Sequence, residues 1–85
     1  MAYPRHIWQQ VKNLTADDLI AALERDGWKP DDPSGAIHPY IDPATRKRVT
    51  IHYHPRKTYG SKLLQGLLAD IGWTEADMRR LRLIK

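Results

Sequence analysis

The sequence predicts an α+β fold in which helices pack on one face of a small antiparallel sheet. Three observations favour this fold: two helix starts with the same capping pattern, a strand in which apolar and polar residues alternate, and a further helix with a wide apolar stripe. The 85 residues are enough for one domain with a single small core. Helices on one side would leave the other face of the sheet open to a ligand.

Two helices are predicted from their N-terminal caps. Thr15 precedes a helix expected over residues 16–26, and Thr74 precedes one expected over residues 75–83. Each threonine is followed three residues later by an aspartate, and this spacing is typical of a capping box. Gly27 is expected to end the first of these helices.

Another helix is predicted over residues 61–71, and Gly72 is expected to end it. A further helical turn or two is expected between residues 6 and 13, with its apolar side chains towards the core. The apolar residues of the helix over residues 61–71 recur at helical spacing and are expected in the core: Leu63, Leu64, Leu67, Leu68 and Ile71. The alternative is that the stretch from Leu63 to Leu68 presents an edge to a partner.

A β-hairpin is predicted in the middle of the chain. Strands are expected over residues 36–41 and 48–54, joined by a turn over residues 42–47. Residues around Trp28 are candidates for a short first strand. The second strand of the hairpin alternates, so that one face is apolar and the other carries Arg48, Thr50, His52 and His54.

Positive charge is concentrated in the second half of the chain. The net charge is +4, yet residues 1–45 contain four basic and seven acidic residues, whereas residues 46–85 contain ten basic and three acidic ones. No carboxylate side chain occurs between Asp42 and Asp70. This separation predicts one basic face, which suits the phosphate backbone of a nucleic acid. An acidic protein is the alternative partner for such a face.

The composition excludes several kinds of site. The chain has no cysteine, which excludes disulfides, thiolate zinc sites and cysteine nucleophiles. It has no apolar run near the roughly 20 residues that a membrane span requires. The first ten residues lack the apolar stretch of a signal peptide. We therefore expect a small cytoplasmic protein with no membrane partner.

Three parts of the chain resemble the HicA (YcfA-like) family of toxins. Residues 19–28, with the sequence Leu-Ile-Ala-Ala-Leu-Glu-Arg-Asp-Gly-Trp, are similar to the opening helix and the Gly-Trp of that family. Residues 35–40 and 48–51 resemble its hairpin. Residues 57–72 keep its spacing from a basic loop to a helix that ends in glycine.

The resemblance covers residues 14–73, which lie within a single HicA-like domain expected over residues 14–85. Residues 1–13 form an N-terminal arm in this division of the chain. This arm and the C-terminal helix over residues 74–85 look like additions to the minimal family domain.

The resemblance implies a fold like that of double-stranded-RNA-binding domains and the activity of an mRNA interferase, an endoribonuclease that needs neither a metal nor another cofactor. It also implies RNA as the substrate and a HicB-type antitoxin as the protein partner. The catalytic histidine of the family lies in a Gly-Ser-His motif at the start of the hairpin. Here the matching residues are Gly35, Ala36 and Ile37, and His38 follows one position later.

Two registers of the hairpin are open, because neighbouring residues on a strand point to opposite faces. In the register that the resemblance favours, Tyr40 lies inside opposite Val49, Ile37 faces outward, and His38 points towards the helices. In the register that counting apolar residues favours, Ile37 lies inside and His38 shares the open face with the histidines of the second strand.

Histidines are the candidate catalytic residues: His38, His52 and His54. Cleavage of RNA without a metal needs a base for the 2′-hydroxyl proton, an acid for the leaving 5′-oxygen, and cations near the phosphate. Histidine suits both proton transfers because its ordinary pKa of about 6.5 lies near neutrality.

The candidate nucleic-acid-binding residues follow the basic part of the chain. The ring of Tyr59 can stack on a base, or it can pack on the helix that follows. The full set is Arg46, Lys47, Arg48, Arg56, Lys57, Tyr59 and Lys62.

Other interpretations of these residues stay open. Histidines on a polar strand face are also common surface residues or simple phosphate ligands. His52 and His54, with His38 across the sheet, could bind zinc or nickel through imidazole, although no acidic residue is close in sequence. For the whole chain, the alternatives are a non-catalytic RNA-binding module of the same fold and a protein-interaction domain with a basic face.

Overall fold

The computed structural model describes residues 3–54 and 58–85, and within them the chain forms four helices and a three-stranded antiparallel sheet. This is the expected α+β fold. None of the described helices is long and apolar enough to cross a membrane. In chain order the elements are α1 (Arg5–Val11), α2 (Ala16–Arg25), β1 (Lys29–Pro30), β2 (Ile37–Ile41), β3 (Arg48–His52), α3 (Ser61–Ile71) and α4 (Glu75–Arg80).

Both predicted capping boxes are confirmed. At the start of α2, the Asp18 N–H donates to Thr15 Oγ1 at 3.2 Å, and the Thr15 N–H donates to the Asp18 carboxylate at 3.0 Å. At the start of α4, the Asp77 N–H donates to Thr74 Oγ1 at 3.1 Å, and the Thr74 N–H donates to the Asp77 carboxylate at 2.9 Å. Each box satisfies amide groups that a helix start leaves without an intrahelical acceptor.

The last helix is shorter than predicted, because it ends at Arg80 and not near Leu83. Arg82 adopts a left-handed conformation with φ of 63°, so the chain cannot continue as a helix. The N–H of Leu83 then donates to the carbonyl of Met78 at 2.9 Å, and the N–H of Arg82 donates to that of Arg79 at 3.1 Å. These two bonds form a Schellman motif, which usually places glycine where Arg82 lies here.

The sheet has the strand order β1-β2-β3, and β1 is the short first strand expected near Trp28. The strand β1 pairs with β2 through only two residues. Pro39, in the central strand, explains why the pairing is short. The Asp31 N–H donates to the Pro39 carbonyl at 2.9 Å, but proline has no N–H to return the bond.

The core lies between the sheet and helices α2 and α3, which both pack on β3. Tyr40, Val49 and Ile51 face these helices and are buried. One predicted core residue, Leu63, is instead 51% exposed, although the other four apolar residues of its stripe are buried. Leu63 lies at the edge of a stripe that is wider than the face α3 presents to the core.

Residues 3–11, which include α1, pack with residues 73–85, and we call this unit the terminal layer. The Tyr3 hydroxyl donates to the carbonyl of Trp73 at 2.7 Å, and the Lys85 N–H donates to Gln10 Oε1 at 2.8 Å. The layer adds buried apolar side chains to the core: Ile7 and Val11 from α1, and Met78, Leu81 and Ile84 from the C-terminal residues.

The carboxylate of Asp26 helps to join the terminal layer to the rest of the fold. Asp26 Oδ2 accepts hydrogen bonds from Trp73 Nε1 at 2.8 Å and Trp28 Nε1 at 3.1 Å, and Oδ1 accepts one from Arg80 at 2.7 Å. Burial by itself would raise the pKa of Asp26, but hydrogen bonds from Trp73, Arg80 and Trp28 lower it below its ordinary value. We call these four residues the Asp26 cluster.

Candidate nucleic-acid interface

The register of β2 against β3 decides which histidines share a face. Tyr40 pairs with Val49, and both side chains are buried towards the helices. Ile37 pairs with His52 on the other side of the sheet, which we call the open face. The register favoured by the family resemblance is therefore confirmed. The register favoured by counting apolar residues is wrong, because the large Tyr40 ring takes the inside position and leaves Ile37 45% exposed.

His38 lies on the helix-facing side of the sheet, opposite the buried Ile51. Its ring packs against Tyr53 with centroids 5.3 Å apart and planes tilted by 43°. A hydrogen bond with Asp17, together with burial, raises the pKa of the Tyr53 hydroxyl. The structure thus separates His38 from His52. The three histidines do not converge on a common point, and no cluster of three metal-ligating side chains occurs among residues 3–54 and 58–85.

His52 and His54 do come together, at the end of β3. They line one side of a cavity of about 270 Å³, which we call the His52 pocket. The other walls come from the chain just before α3 and from its first turn. The remaining lining residues are Thr58, Tyr59, Gly60 and Leu63.

Two contacts hold the wall formed by residues 58–60. Thr58 forms an isolated antiparallel bridge with Thr15, the residue that caps α2. The Tyr59 hydroxyl donates to the backbone carbonyl of His52 at 3.3 Å, and its half-buried ring packs on the core. Burial, together with the negative charge of Asp17, raises the pKa of Tyr59, so its hydroxyl stays protonated at neutral pH.

Helix α3 starts beside this pocket in a different way from α2 and α4. Gly60 is its N-cap and offers no side chain, and the first turn contains no acidic residue. The first amide groups of a helix lack intrahelical acceptors and carry partial positive charge. Lys62, in this first turn, is exposed. The start of α3 therefore favours an anion.

The remaining basic candidates in the described part of the chain lie at the other end of β3. Arg48 is four residues from His52, which corresponds to about 13 Å along a strand. Arg48 forms an ion pair with Asp31 at 3.1 Å. Arg46 takes a left-handed conformation in the turn between β2 and β3. Lys47 lies against the C-terminal end of α3. Its Nζ atom is 3.0 Å from the point that a Cβ atom on Gly72 would occupy.

The predicted basic face is therefore divided into two groups, with Lys62 at the His52 pocket and Arg46, Lys47 and Arg48 near the turn. Arg56 and Lys57 lie outside the described residues. Three lining residues of the pocket were not singled out from the sequence as site residues: Thr58, Gly60 and Leu63. For Leu63, the sequence offered one indication, which was that the apolar stretch from Leu63 to Leu68 could present an edge to a partner.

Comparison with known families identifies the chain. A family model for the HicA toxin of bacterial toxin-antitoxin systems matches residues 16–73, which is more than half of the chain. The chain belongs to the HicA toxin family. A search of curated proteins finds no match.

The matched HicA region runs from the start of α2 to the residue after Gly72, and it contains the whole sheet and the His52 pocket. Helix α1 and helix α4 lie outside it. Membership of a toxin-antitoxin family implies that this chain pairs with an antitoxin.

Proposed function

We propose that this HicA-family toxin binds RNA at the His52 pocket and cleaves it there as a metal-independent endoribonuclease of the mRNA-interferase type. One observation carries the proposal: His52 and His54 line a single cavity beside the start of a helix that favours an anion. These are the groups that proton transfer next to a phosphate requires.

The chemistry assigns one proton transfer to each histidine of the pocket. One imidazole takes the proton of the 2′-hydroxyl, which then attacks the adjacent phosphorus atom. The other imidazolium gives a proton to the leaving 5′-oxygen. The negative charge that develops on the phosphate is stabilised by the first amides of α3 and by the Lys62 ammonium group. No metal or other cofactor takes part.

The proposed RNA path continues beyond the pocket in both directions along the chain. Arg56 and Lys57 follow His54 in sequence and are proposed phosphate ligands. The tip of the hairpin extends the path along β3, with Arg46, Lys47 and Arg48 as its basic residues. His38, on the opposite side of the sheet, is not assigned a proton transfer.

The proposed antitoxin is of the HicB type and covers the open face. Ile37 and Leu63 support this position, because they are the exposed large apolar side chains of the described residues. Ile37 is the cross-strand partner of His52, and Leu63 lines the His52 pocket. A protein that buries these two side chains would also cover His52 and prevent access of RNA.

The test is incubation of the purified chain with a long mRNA in EDTA, beside three variants: His38→Ala, His52→Ala and His54→Ala. We expect cleavage by the wild type, a loss of about 10²- to 10⁴-fold for His52→Ala and for His54→Ala, and a change of less than about tenfold for His38→Ala. The matched control is His6→Ala, which changes a histidine outside the HicA region. A contaminating nuclease would cleave equally in all preparations.

A non-catalytic RNA-binding module is the second candidate function. It is favoured by the resemblance, which puts Ile37 at the position of the family's catalytic histidine, while His38 faces the helices. Wild-type protein that binds RNA in a salt-dependent way without cleaving it would support this candidate over the nuclease. A chain that binds no RNA would instead be a protein-interaction domain.

A further inference from the structure

The His52 pocket has the size and walls of a site for one flat ring system. Its volume of about 270 Å³ is just below the roughly 300–1,000 Å³ that pockets for drug-sized ligands occupy. Its lining residues include two histidines, one tyrosine and Leu63, and Gly60 contributes no side chain that would fill it. Aromatic and aliphatic walls of this kind bind nucleobases by stacking.

The Tyr59 ring is fixed before any ligand arrives. Its hydroxyl is bound to the His52 carbonyl, and the preceding residue, Thr58, is bridged to Thr15 on α2. A half-buried ring held at its hydroxyl and next to a bridged residue loses little conformational freedom when a base stacks on it. Because the hydroxyl proton is already donated to the chain itself, the ring is the part of Tyr59 that is left to contact a ligand.

A phosphate position lies next to this ring. Gly60 and Leu63 belong both to the pocket wall and to the start of α3, where the partial positive charge of the first-turn amides favours an anion. A nucleotide bound here would place its base against Tyr59 and its phosphate at the start of the helix. The two parts of a nucleotide therefore match two adjoining parts of the structure.

We infer that the His52 pocket takes up one unpaired nucleobase, so that the RNA bound at this site is single-stranded. This inference rests on the proposed function of RNA binding at the same pocket. A base inside a duplex is paired on one edge and stacked on both faces, and it cannot enter a cavity without first leaving the helix. Duplex RNA could place a phosphate at the start of α3 but could not place a base against Tyr59.

The experiment measures binding of three fluorescent RNAs by anisotropy, each carrying 2′-O-methyl groups that prevent cleavage. The first is a short single strand, the second is the same strand with abasic sugars, and the third is the strand annealed to its complement. The proteins are wild type, Tyr59→Ala, Leu63→Ala and Tyr59→Phe. The phenylalanine variant keeps the stacking ring and is the matched control.

We expect the wild type to bind the single strand roughly 5- to 100-fold more tightly than the abasic strand or the duplex. Tyr59→Ala and Leu63→Ala should lose this preference while they keep the weak binding of the abasic strand. Tyr59→Phe should retain the preference. Leu63 is 51% exposed, so its removal tests the pocket without endangering the core.

Three results would overturn the inference. Equal affinity of the wild type for the single strand and the abasic strand would mean that phosphates alone are bound, which leaves the proposed function intact. Equal weakening of both ligands by Tyr59→Ala would assign the ring a structural role. Absence of binding to any of the three RNAs would overturn the proposed function together with the inference.

Discussion

The Asp26 cluster and the His52 pocket are both built from aromatic and polar side chains of neighbouring elements, but they differ in where their hydrogen bonds go. In the cluster, three donors converge on a carboxylate that is 19% exposed. In the pocket, no described residue forms a hydrogen bond with the imidazole of His52 or His54. Polar groups whose hydrogen bonds are formed within the chain hold the fold together. Polar groups at a cavity that can still form hydrogen bonds are available to a ligand.

The basic side chains show the same difference. In the terminal layer, Arg79 pairs with Glu75 at 2.6 Å, and Arg80 pairs with Asp26 and Asp77. Lys62, beside the pocket, has no carboxylate within ion-pair distance among the described residues. The excess positive charge of residues 46–85 is therefore not one uniform surface. At the terminal layer, ion pairs within the chain reduce the positive charge that is available to an anionic ligand. Near the pocket this charge stays available.

The largest expected effect on stability comes from Asp26→Ala. The change leaves the indole N–H groups of Trp28 and Trp73 without an acceptor and removes the partner of Arg80, so we expect the free energy of unfolding to fall by roughly 2–5 kcal/mol. Urea denaturation measures it. The control, Asp70→Ala, removes an exposed carboxylate and should change stability by less than about 0.5 kcal/mol. Similar midpoints for both variants would contradict a structural role for the cluster.

Acidification should weaken the same cluster. Hydrogen bonds lower the pKa of Asp26, and bonds with Thr74 lower that of Asp77. A carboxylate whose pKa is lower in the folded than in the unfolded chain stabilises the fold above its unfolded pKa of about 3.9, and this stabilisation is lost as the pH falls through the folded pKa. We expect urea midpoints to decline below about pH 4, with a shallower decline in Asp26→Asn. Parallel curves of urea midpoint against pH for the wild type and Asp26→Asn would exclude Asp26 as a cause of the decline.

Salt dependence of RNA binding should distinguish the two groups of cations. Lys62→Ala should reduce the slope of log affinity against log salt concentration by about 0.7, the value for one phosphate contact with a single strand. Arg79→Ala should leave this slope unchanged, because Arg79 is already paired with Glu75. Lys12→Ala, which removes an exposed lysine at the end of α1, is the control. A larger loss for Arg79 than for Lys62 would place the RNA on the terminal layer.

The smallest expected effect is a gain in stability from Arg82→Gly. Arg82 holds a left-handed conformation in the Schellman motif after α4, and glycine adopts that conformation without steric cost. We expect a gain of about 0.5–1 kcal/mol, after allowance for the greater freedom of glycine in the unfolded chain. Thermal unfolding of Arg82→Gly and Arg82→Ala tests whether relief of backbone strain is the cause, since alanine is strained in the left-handed conformation and glycine is not. Equal stability of the two variants would argue against strain at Arg82.

Local signals in the sequence predicted most of the fold. The two threonine caps, the bounds of α3 and the hairpin each depend on residues close together in the chain, and all are confirmed. The end of α4 was predicted wrongly because Arg82 occupies a position where glycine is the usual signal. For Leu63 the core position was wrong, and the alternative of an edge presented to a partner stays a prediction. Helical spacing identifies an apolar stripe but does not show how much of that stripe the neighbouring strand covers.

The site was predictable only in part, because its geometry depends on contacts between distant residues. The residue pattern alone favoured a hairpin register that the burial of Tyr40 excludes. The Asp26 cluster joins residues about 50 positions apart, as in the bond from Trp73, and no local pattern indicates it. Likewise, the meeting of His52 with Tyr59 and Leu63 follows from the packing of α3 on β3.

An NMR titration of the ¹⁵N-labelled chain with uncleavable single-stranded RNA tests most directly whether the His52 pocket, and not the terminal layer, is the RNA site. The expected result is that the amide chemical shifts of His52, His54 and residues 58–63 change. The amide chemical shifts of residues 74–85 should stay the same. The largest changes at residues 79–85, with the pocket amides unmoved, would contradict this assignment of the RNA site.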